Sequence, residues 1–102
     1  MNKLRVGICG WGNVATGLFK TLQTNSVEIK KRSNLEIEII AIGARRDNPK
    51  CDPGNVIIER DIFNIIDHDI DVIVELIGGV DVARDLILKA LNTKKHVVTA
   101  NK

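Results

Sequence analysis

The stretch GICGWGNVATG, residues 7–17, determines how the N-terminal part of the chain is interpreted. Gly10, Gly12 and Ala15 fall at the spacing G-x-G-x-x-A, directly after LRVGIC, residues 4–9, a short apolar run that predicts a buried strand. At such a junction Gly10 allows a tight turn, Gly12 lets the backbone approach a diphosphate, and a small residue at position 15 lets the next helix pack closely. The alternative is a glycine-rich turn that holds no ligand.

A helix is predicted immediately after this loop. Val14, Leu18 and Leu22 recur every four residues, which indicates one apolar stripe facing a core. Asn13 is the predicted N-cap, because its side chain can accept a hydrogen bond from a free N–H group of the first turn. The positive end of the helix dipole would then lie beneath a bound diphosphate.

The rest of the chain alternates between predicted strands and helices. Residues 44–55 carry Asn-Pro and Asp-Pro-Gly turn signals, so the usual crossover helix is expected to be missing there. Glu75 interrupts a nearly continuous apolar strand, which places it at a sheet edge, near the strand's end, or in a pair. The remaining predicted strands are 35–43, 55–59, 71–79 and 96–100, and the remaining predicted helices are 27–32, 61–67 and 81–93.

This alternation predicts an α/β fold with a doubly wound parallel sheet of about five strands. Ligands of such sheets bind at the carboxyl ends of the strands. Four segments follow predicted strands and should converge at that edge: 10–14, 44–46, 78–79 and 101–102. This convergence supports a binding site more strongly than the glycine loop does alone.

The end of the second predicted strand carries two arginines where dinucleotide-binding chains often carry an acid. Arg45 and Arg46 present fork-shaped donors suited to a 2′-phosphate, so NADP is favoured over NAD. Two alternatives stay open. One or both arginines can be solvated surface residues, or Asp47 can neutralise one of them and allow NAD as well.

Composition restricts the remaining classes. The 102 residues are enough for one domain and one core, and the net charge of +2 and the few aromatic rings give no reason to expect nucleic acid as a partner. No apolar run has the length of a signal-peptide core or a membrane span, so no membrane partner is expected. Cys9 and Cys51 lack metal-ligand spacing; we expect no metal, a buried Cys9 and a cytoplasmic location.

Lys102 and His96 are two further ionisable residues whose positions relative to the predicted strands suggest a role. Lys102 follows the last predicted strand, where an ammonium group can bind a substrate oxygen or transfer a proton near a nicotinamide. Spacing by itself favours a solvated terminal charge for Lys102. His96 begins a strand and has no evident partner in the sequence, so a structural role is expected.

Taken together, the chain resembles the N-terminal part of homoserine dehydrogenase along essentially its whole length. Three blocks carry the resemblance: VGICGWGNVATG near the start, IGARRDNPKCD in the middle, and VIVELIGG, ARDLILKAL and KHVVTANK at the end. Members of that family interconvert L-homoserine and L-aspartate 4-semialdehyde with a nicotinamide cofactor, on the route to threonine, methionine and isoleucine. The resemblance therefore implies a Rossmann-like nucleotide-binding domain over residues 1–102, truncated relative to the family.

The resemblance also assigns roles to individual residues. Lys102 matches the lysine of the family's Ala-Asn-Lys motif, which lies at the active site beside the nicotinamide, and this reverses the expectation from spacing. Two features depart from the family's loop: Trp11 is bulkier than the usual aliphatic residue, and Ala15 replaces a glycine. The residues that the resemblance places around the cofactor are Gly10, Gly12, Asn13 and Val14 at the diphosphate, Arg45 and Arg46 at the adenosine ribose or its phosphate, and Gly78 near the nicotinamide.

Family members continue for several hundred residues past Asn-Lys, with a substrate and dimerisation domain that this chain lacks. We therefore expect homoserine or aspartate semialdehyde as substrate and a homo-oligomer only for a complete enzyme, and no turnover by the 102 residues alone. The alternative from another class is a stand-alone NADP-binding module without catalysis. A further alternative is another amino-acid or semialdehyde dehydrogenase with the same fold.

Overall fold

The computed structural model describes residues 2–49, 51–54, 56–77, 81–93 and 95–99. These residues form one five-stranded sheet in the order β3-β2-β1-β4-β5, and every neighbouring pair is parallel. This is the predicted doubly wound, Rossmann-like arrangement: β2 and β3 lie on one side of β1, and β4 and β5 lie on the other side. The strands are β1 (Asn2–Cys9), β2 (Leu35–Gly43), β3 (Ile57–Glu59), β4 (Val72–Glu75) and β5 (His96–Thr99).

Helices cover both faces of this sheet. Between β2 and β3 the described residues contain no helix, as the turn signals predicted, and the chain crosses as a loop. No described helix is long and apolar enough to cross a membrane. The helices are α1 (Asn13–Thr24), α2 (Ser26–Ser33), a short 3₁₀ helix (Ile62–Asp67) and α3 (Asp81–Asn92).

The core consists of two layers, because successive side chains of a strand point to opposite faces. Ile8 and Ile42 point to the face that α1 covers, where Phe19 is 1% exposed. The next residue after Ile8, Cys9, points to the other face. That second layer is built with the 3₁₀ helix and α3 from Ala41, Ile65, Ile66, Ile70, Ile73, Leu86 and Ala90.

Two predictions about the start of α1 are wrong. The N-cap is Gly12, and Asn13 is already the first helical residue, because the Gly12 carbonyl accepts the first helical bond from the Thr16 N–H at 3.0 Å. Val14 is 65% exposed and does not face the core. The buried side of the helix carries Ala15, Thr16 and Phe19, so the stripe that faces the core is rotated away from Val14.

The amino ends of β1 and β4 are joined by one ion-pair cluster. The Arg5 backbone N–H donates to the Asp71 carboxylate at 2.9 Å, and the Arg5 guanidinium donates to the same carboxylate at 3.1 and 3.3 Å. Asp69 also pairs with this guanidinium. The bonds from Arg5 hold the pKa of Asp71 below its usual value. The cluster therefore fixes the sheet at the edge opposite the predicted site.

Candidate cofactor site

The carboxyl ends of the three central strands are held side by side by backbone bonds. The Gly10 N–H donates to the carbonyl of Gly43 at 2.8 Å, and the Leu76 N–H donates to the carbonyl of Cys9 at 2.8 Å. The loop after β1 therefore lies between the ends of β2 and β4. This is the crevice where open α/β sheets bind their ligands.

The two glycines of the loop have different structural requirements. Gly10 has φ +107°, and a Cβ atom there would lie 2.8 Å from the carbonyl oxygen of Leu76. A side chain at Gly10 is thus excluded by both conformation and space. Gly12 has φ −92°, and a Cβ atom there would meet no protein atom within 4 Å. Gly12 therefore leaves open space above the backbone, as close approach by a ligand requires.

The first turn of α1 is suited to an anion. No side chain caps it, and it contains no acidic residue. The first N–H groups of a helix have no partner within the helix and carry the positive end of its dipole. The amides of the first helical residues, Asn13 and Val14, therefore have the character of a phosphate site, next to the open space at Gly12.

Trp11 does not crowd this loop. Trp11 is 9% exposed, and its ring packs edge-on against Phe19, with ring centroids 5.3 Å apart and planes at 82°. Its backbone carbonyl accepts a hydrogen bond from Asn48 Nδ2 at 3.2 Å. Trp11 thus joins the glycine loop to the loop that follows β2.

A cavity of about 440 Å³ opens at this edge of the sheet. Its volume lies within the roughly 300–1,000 Å³ typical of small-molecule sites. Both loop glycines and both arginines contribute to its wall, so the structure brings together glycines and arginines that are 33 to 36 positions apart in sequence. The cavity is lined by Gly10, Trp11, Gly12, Gly43, Arg45, Arg46, Asp47, Asn48, Pro49, Ile62, Leu76 and Ile77.

The ion pairs beside this cavity show whether Asp47 neutralises Arg45 or Arg46. Its carboxylate pairs with Arg60, with Oδ1 2.5 Å from Nη2, and Arg60 also donates to the carbonyl of Ala44 at 3.3 Å. Within the described part of the chain, Arg45 and Arg46 form no ion pair. Asp47 therefore neutralises Arg60 and leaves both predicted arginines available at the cavity.

A buried acid lies at the end of β4. Glu75 is 0% exposed, and its two carboxylate oxygens accept hydrogen bonds from the Ile77 N–H at 2.6 Å and from the Thr99 hydroxyl at 2.5 Å. Burial, and then the nearby Glu75 charge, raise the pKa of the Cys9 thiol to about 12. The expectation of an inert, buried Cys9 is consistent with this environment. Of the three positions considered for Glu75, it occupies a strand end and is also paired.

The predicted site residues fall into three groups. Gly10, Gly12, Arg45 and Arg46 line one cavity. Asn13 and Val14 follow directly as the first turn of α1, and Gly78 and Lys102 lie outside the described residues. In the described part of the chain, no group of His, Cys, Asp and Glu side chains is arranged to hold a metal ion.

Sequence reasoning missed three further contributors. Asn48 and Arg60 both act on the loops around the cavity, and Thr99 pairs with Glu75. Arg60 and Thr99 lie at the carboxyl ends of β3 and β5, so the rule that ligands bind at strand ends would have identified them. Asn48 lies within a turn and carries no comparable signal.

Comparison with known proteins identifies the family of this chain. Residues 10–102 match the family model described as the homoserine dehydrogenase, NAD binding domain. The homoserine dehydrogenase of Pseudomonas aeruginosa is 52% identical over the whole chain, which spans 24% of that protein, and the Bacillus subtilis homoserine dehydrogenase is 31% identical over 24% of its length. The crystal structure of S. aureus homoserine dehydrogenase superposes with a TM-score of 0.88 at 33% identity, covering 99% of this chain and 27% of that one. The chain thus spans about a quarter of the length of these relatives, and it belongs to the family of homoserine dehydrogenase NAD-binding domains.

Proposed function

We propose that this chain is the cofactor-binding part of a homoserine dehydrogenase, which converts L-homoserine and NADP to L-aspartate 4-semialdehyde and NADPH. The observation that carries the proposal is the pairing of an open position at Gly12 with an uncapped helix start, at the carboxyl edge of a parallel sheet. A diphosphate needs both features. The match to the homoserine dehydrogenase family supports the substrate.

The preference for NADP rests on the charges around the cavity. When bound, the cofactor supplies the group that accepts or donates a hydride. Gly12 and the first amides of α1 bind its diphosphate, while Arg45 and Arg46 bind the 2′-phosphate of its adenosine. Because Asp47 is paired with Arg60, its carboxylate is partly neutralised and repels a 2′-phosphate less.

Roles on the nicotinamide side follow from the match of sequence motifs. We assign Gly78 to the wall of the nicotinamide site. We assign Lys102 to the active site, where its ammonium group binds the substrate oxygen or transfers its proton. Hydride transfer also needs the substrate held over the nicotinamide in near-attack geometry.

The relatives are about four times as long as this chain, so we propose that their remaining residues hold the substrate. Residues 1–102 then constitute an NADP-binding domain that binds cofactor without turnover by itself. For the complete enzyme we propose a homo-oligomer, a cytoplasmic location and a place in threonine, methionine and isoleucine synthesis.

Titration with NADPH and NADH tests the cofactor assignment. Trp11 is the only tryptophan in the chain and lines the cavity, so its emission, corrected for cofactor absorbance, reports binding directly. We expect saturable quenching at lower concentrations of NADPH than of NADH. In the Arg45→Ala, Arg46→Ala double variant the two cofactors should bind with similar affinity, whereas an Arg32→Ala variant, altered on the exposed face of α2, should behave as the wild type.

The enzymatic assignment needs a separate assay. NADP reduction with L-homoserine, measured on the full-length gene product and on residues 1–102, should proceed only with the former. Turnover by the 102 residues alone would contradict the division of roles proposed here. Cofactor binding without homoserine oxidation by the full-length product would favour a binding module or a dehydrogenase for another substrate.

A further inference from the structure

Glu75 is a buried ionisable residue that the proposed mechanism does not use. Burial of an acid is costly unless hydrogen bonds compensate it. Here both carboxylate oxygens are compensated, one by the Ile77 N–H and the other by the Thr99 hydroxyl. Among the described residues no Lys, Arg or His forms an ion pair with Glu75. The acid is thus held by two neutral donors, both of which belong to segments that lead into the site.

Glu75 takes part in a series of hydrogen bonds that join the ends of neighbouring strands at the carboxyl edge of the sheet. Backbone bonds connect Gly10 to Gly43 and Leu76 to Cys9, which ties the ends of β2, β1 and β4 together. At the end of β5 the corresponding contact is the side-chain bond between Thr99 and Glu75, which face each other in register. β5 is an edge strand with β4 as its only strand neighbour in the described sheet, so this side-chain contact adds to the backbone pairing that holds the end of β5.

Both partners of Glu75 lie within three positions of residues that the proposed function uses. Ile77 is one position before Gly78, and Thr99 is three positions before Lys102. Because the Glu75 carboxylate accepts hydrogen bonds from Ile77 and from Thr99, it helps to set the distance between these two residues. Charge-assisted bonds of this kind are short and strong, which suits them to a positioning role.

We infer that Glu75 is a positioning residue for the nicotinamide side of the cofactor site, acting through Ile77 and Thr99. The inference rests on the proposed function and goes beyond it, because Glu75 touches neither the glycine loop's open space nor the two arginines. The adenine side of the site is built from the loops after β1 and β2, and among the described residues no hydrogen bond joins the Glu75 carboxylate to these loops, although Ile77 lines the same cavity. The two halves of the cofactor should therefore respond differently when Glu75 is changed.

Binding of two different ligands to the 102-residue chain distinguishes the adenine side of the site from the nicotinamide side. NADPH engages both sides, whereas adenosine 2′,5′-bisphosphate engages only the adenine side. We expect Glu75→Gln and Thr99→Val each to weaken NADPH binding about tenfold, as misplacement of one hydrogen bond to the cofactor would, and to leave the bisphosphate affinity within about twofold. Thr99→Ser keeps the hydroxyl and should restore NADPH binding.

The double variant and a distant control make the test specific. If Thr99 acts through its bond to Glu75, Glu75→Gln combined with Thr99→Val should cost little more than Glu75→Gln alone. Asp71→Asn removes a carboxylate at the opposite end of the β4 region, and we expect it to lower stability without changing either affinity. Thr99 is exposed, so its valine variant should fold even if Glu75→Gln does not.

Three results would overturn the inference. Equal weakening of NADPH and bisphosphate binding would mean that Glu75 only supports the fold. Unchanged NADPH binding in a folded Thr99→Val variant would mean that the contact positions nothing. Failure of the wild type to bind either ligand would instead refute the proposed function, and the inference with it.

Discussion

Replacement of each loop glycine by alanine separates folding from cofactor binding. At Gly12 the backbone conformation is one that any residue adopts, and the added methyl group meets no protein atom within 4 Å. Alanine is a poorer N-cap than glycine by about 0.5–1 kcal/mol, and the smaller entropy of the unfolded chain returns about 0.4–1 kcal/mol. We therefore expect Gly12→Ala to change the free energy of unfolding by less than about 1 kcal/mol.

The effect on binding should be much larger. The new methyl group occupies the space through which the diphosphate approaches the backbone. Loss of one hydrogen bond to a charged group costs about 1.5–3 kcal/mol, so the dissociation constant for NADPH should rise about tenfold or more. Urea unfolding and calorimetric titration of the same preparation measure the two quantities.

Gly10→Ala is the matched variant with the opposite pattern. It forces alanine to φ +107° and places Cβ 2.8 Å from the Leu76 carbonyl oxygen. Strain of about 1–3 kcal/mol should lower the melting temperature by roughly 4–8 °C per kcal/mol in a domain of this size. A stable Gly12→Ala variant that binds NADPH within about twofold of the wild type would refute the diphosphate site at Gly12.

Three more predictions concern stability. Bonds from Arg5 lower the pKa of Asp71, so they stabilise the folded state above the ordinary carboxyl pKa of about 4, and this stabilisation is lost as the pH falls through the lower folded pKa. Asp71→Asn should therefore lower the free energy of unfolding at pH 7. The difference in urea midpoint between this variant and the wild type should shrink at acidic pH. The pKa of Cys9 rises from 9.0 to about 12 on folding, so stability should fall as the pH increases across that interval, and pH-dependent unfolding of Cys9→Ala should show a smaller decrease. Phe19→Ala should cost about 3–5 kcal/mol and shift Trp11 emission to longer wavelength, because it opens a space beside the indole; an unchanged spectrum would contradict the ring contact.

The strands and the site loop were predictable because their signals are local. β2 was predicted with the bounds that it has, Leu35–Gly43, since β-branched residues and a terminal glycine occur together in a continuous segment. The convergence of Gly10, Gly12 and Arg45 at one cavity followed from topology alone. Parallel strands connected by right-handed crossovers leave little freedom in where their carboxyl ends lie.

The start of α1 was mispredicted because two signals competed. Spacing alone placed Val14 with Leu18 on the buried side, but that side must also accommodate the neighbouring strand at close range. Packing favours the small Ala15 and the large Phe19 there, which leaves Val14 in solvent. The N-cap is determined separately: Gly12 takes that position in place of Asn13 because its carbonyl accepts the first helical bond.

Pairs of charged and polar side chains could not be predicted at all. Asp47 and Arg60 are 13 positions apart, and Glu75 and Thr99 are 24 apart, so no short-range pattern connects them. In sequence, Asp47 was a candidate partner for Arg45 or Arg46. Arg60 is the partner of Asp47 because β3, which ends next to Arg60, lies beside β2 in the sheet.

The central claim is that a nicotinamide dinucleotide binds at the carboxyl edge of the sheet, across the glycine loop. The most direct test is to record the backbone amide NMR spectrum of the ¹⁵N-labelled chain during titration with NADPH. We predict that the largest shifts occur at residues 10–14 and 45–46, with saturation at one equivalent. Shifts concentrated instead along the groove between β2 and the junction of α1 with α2, at Leu22, Ser26 and Ile37, would contradict the account.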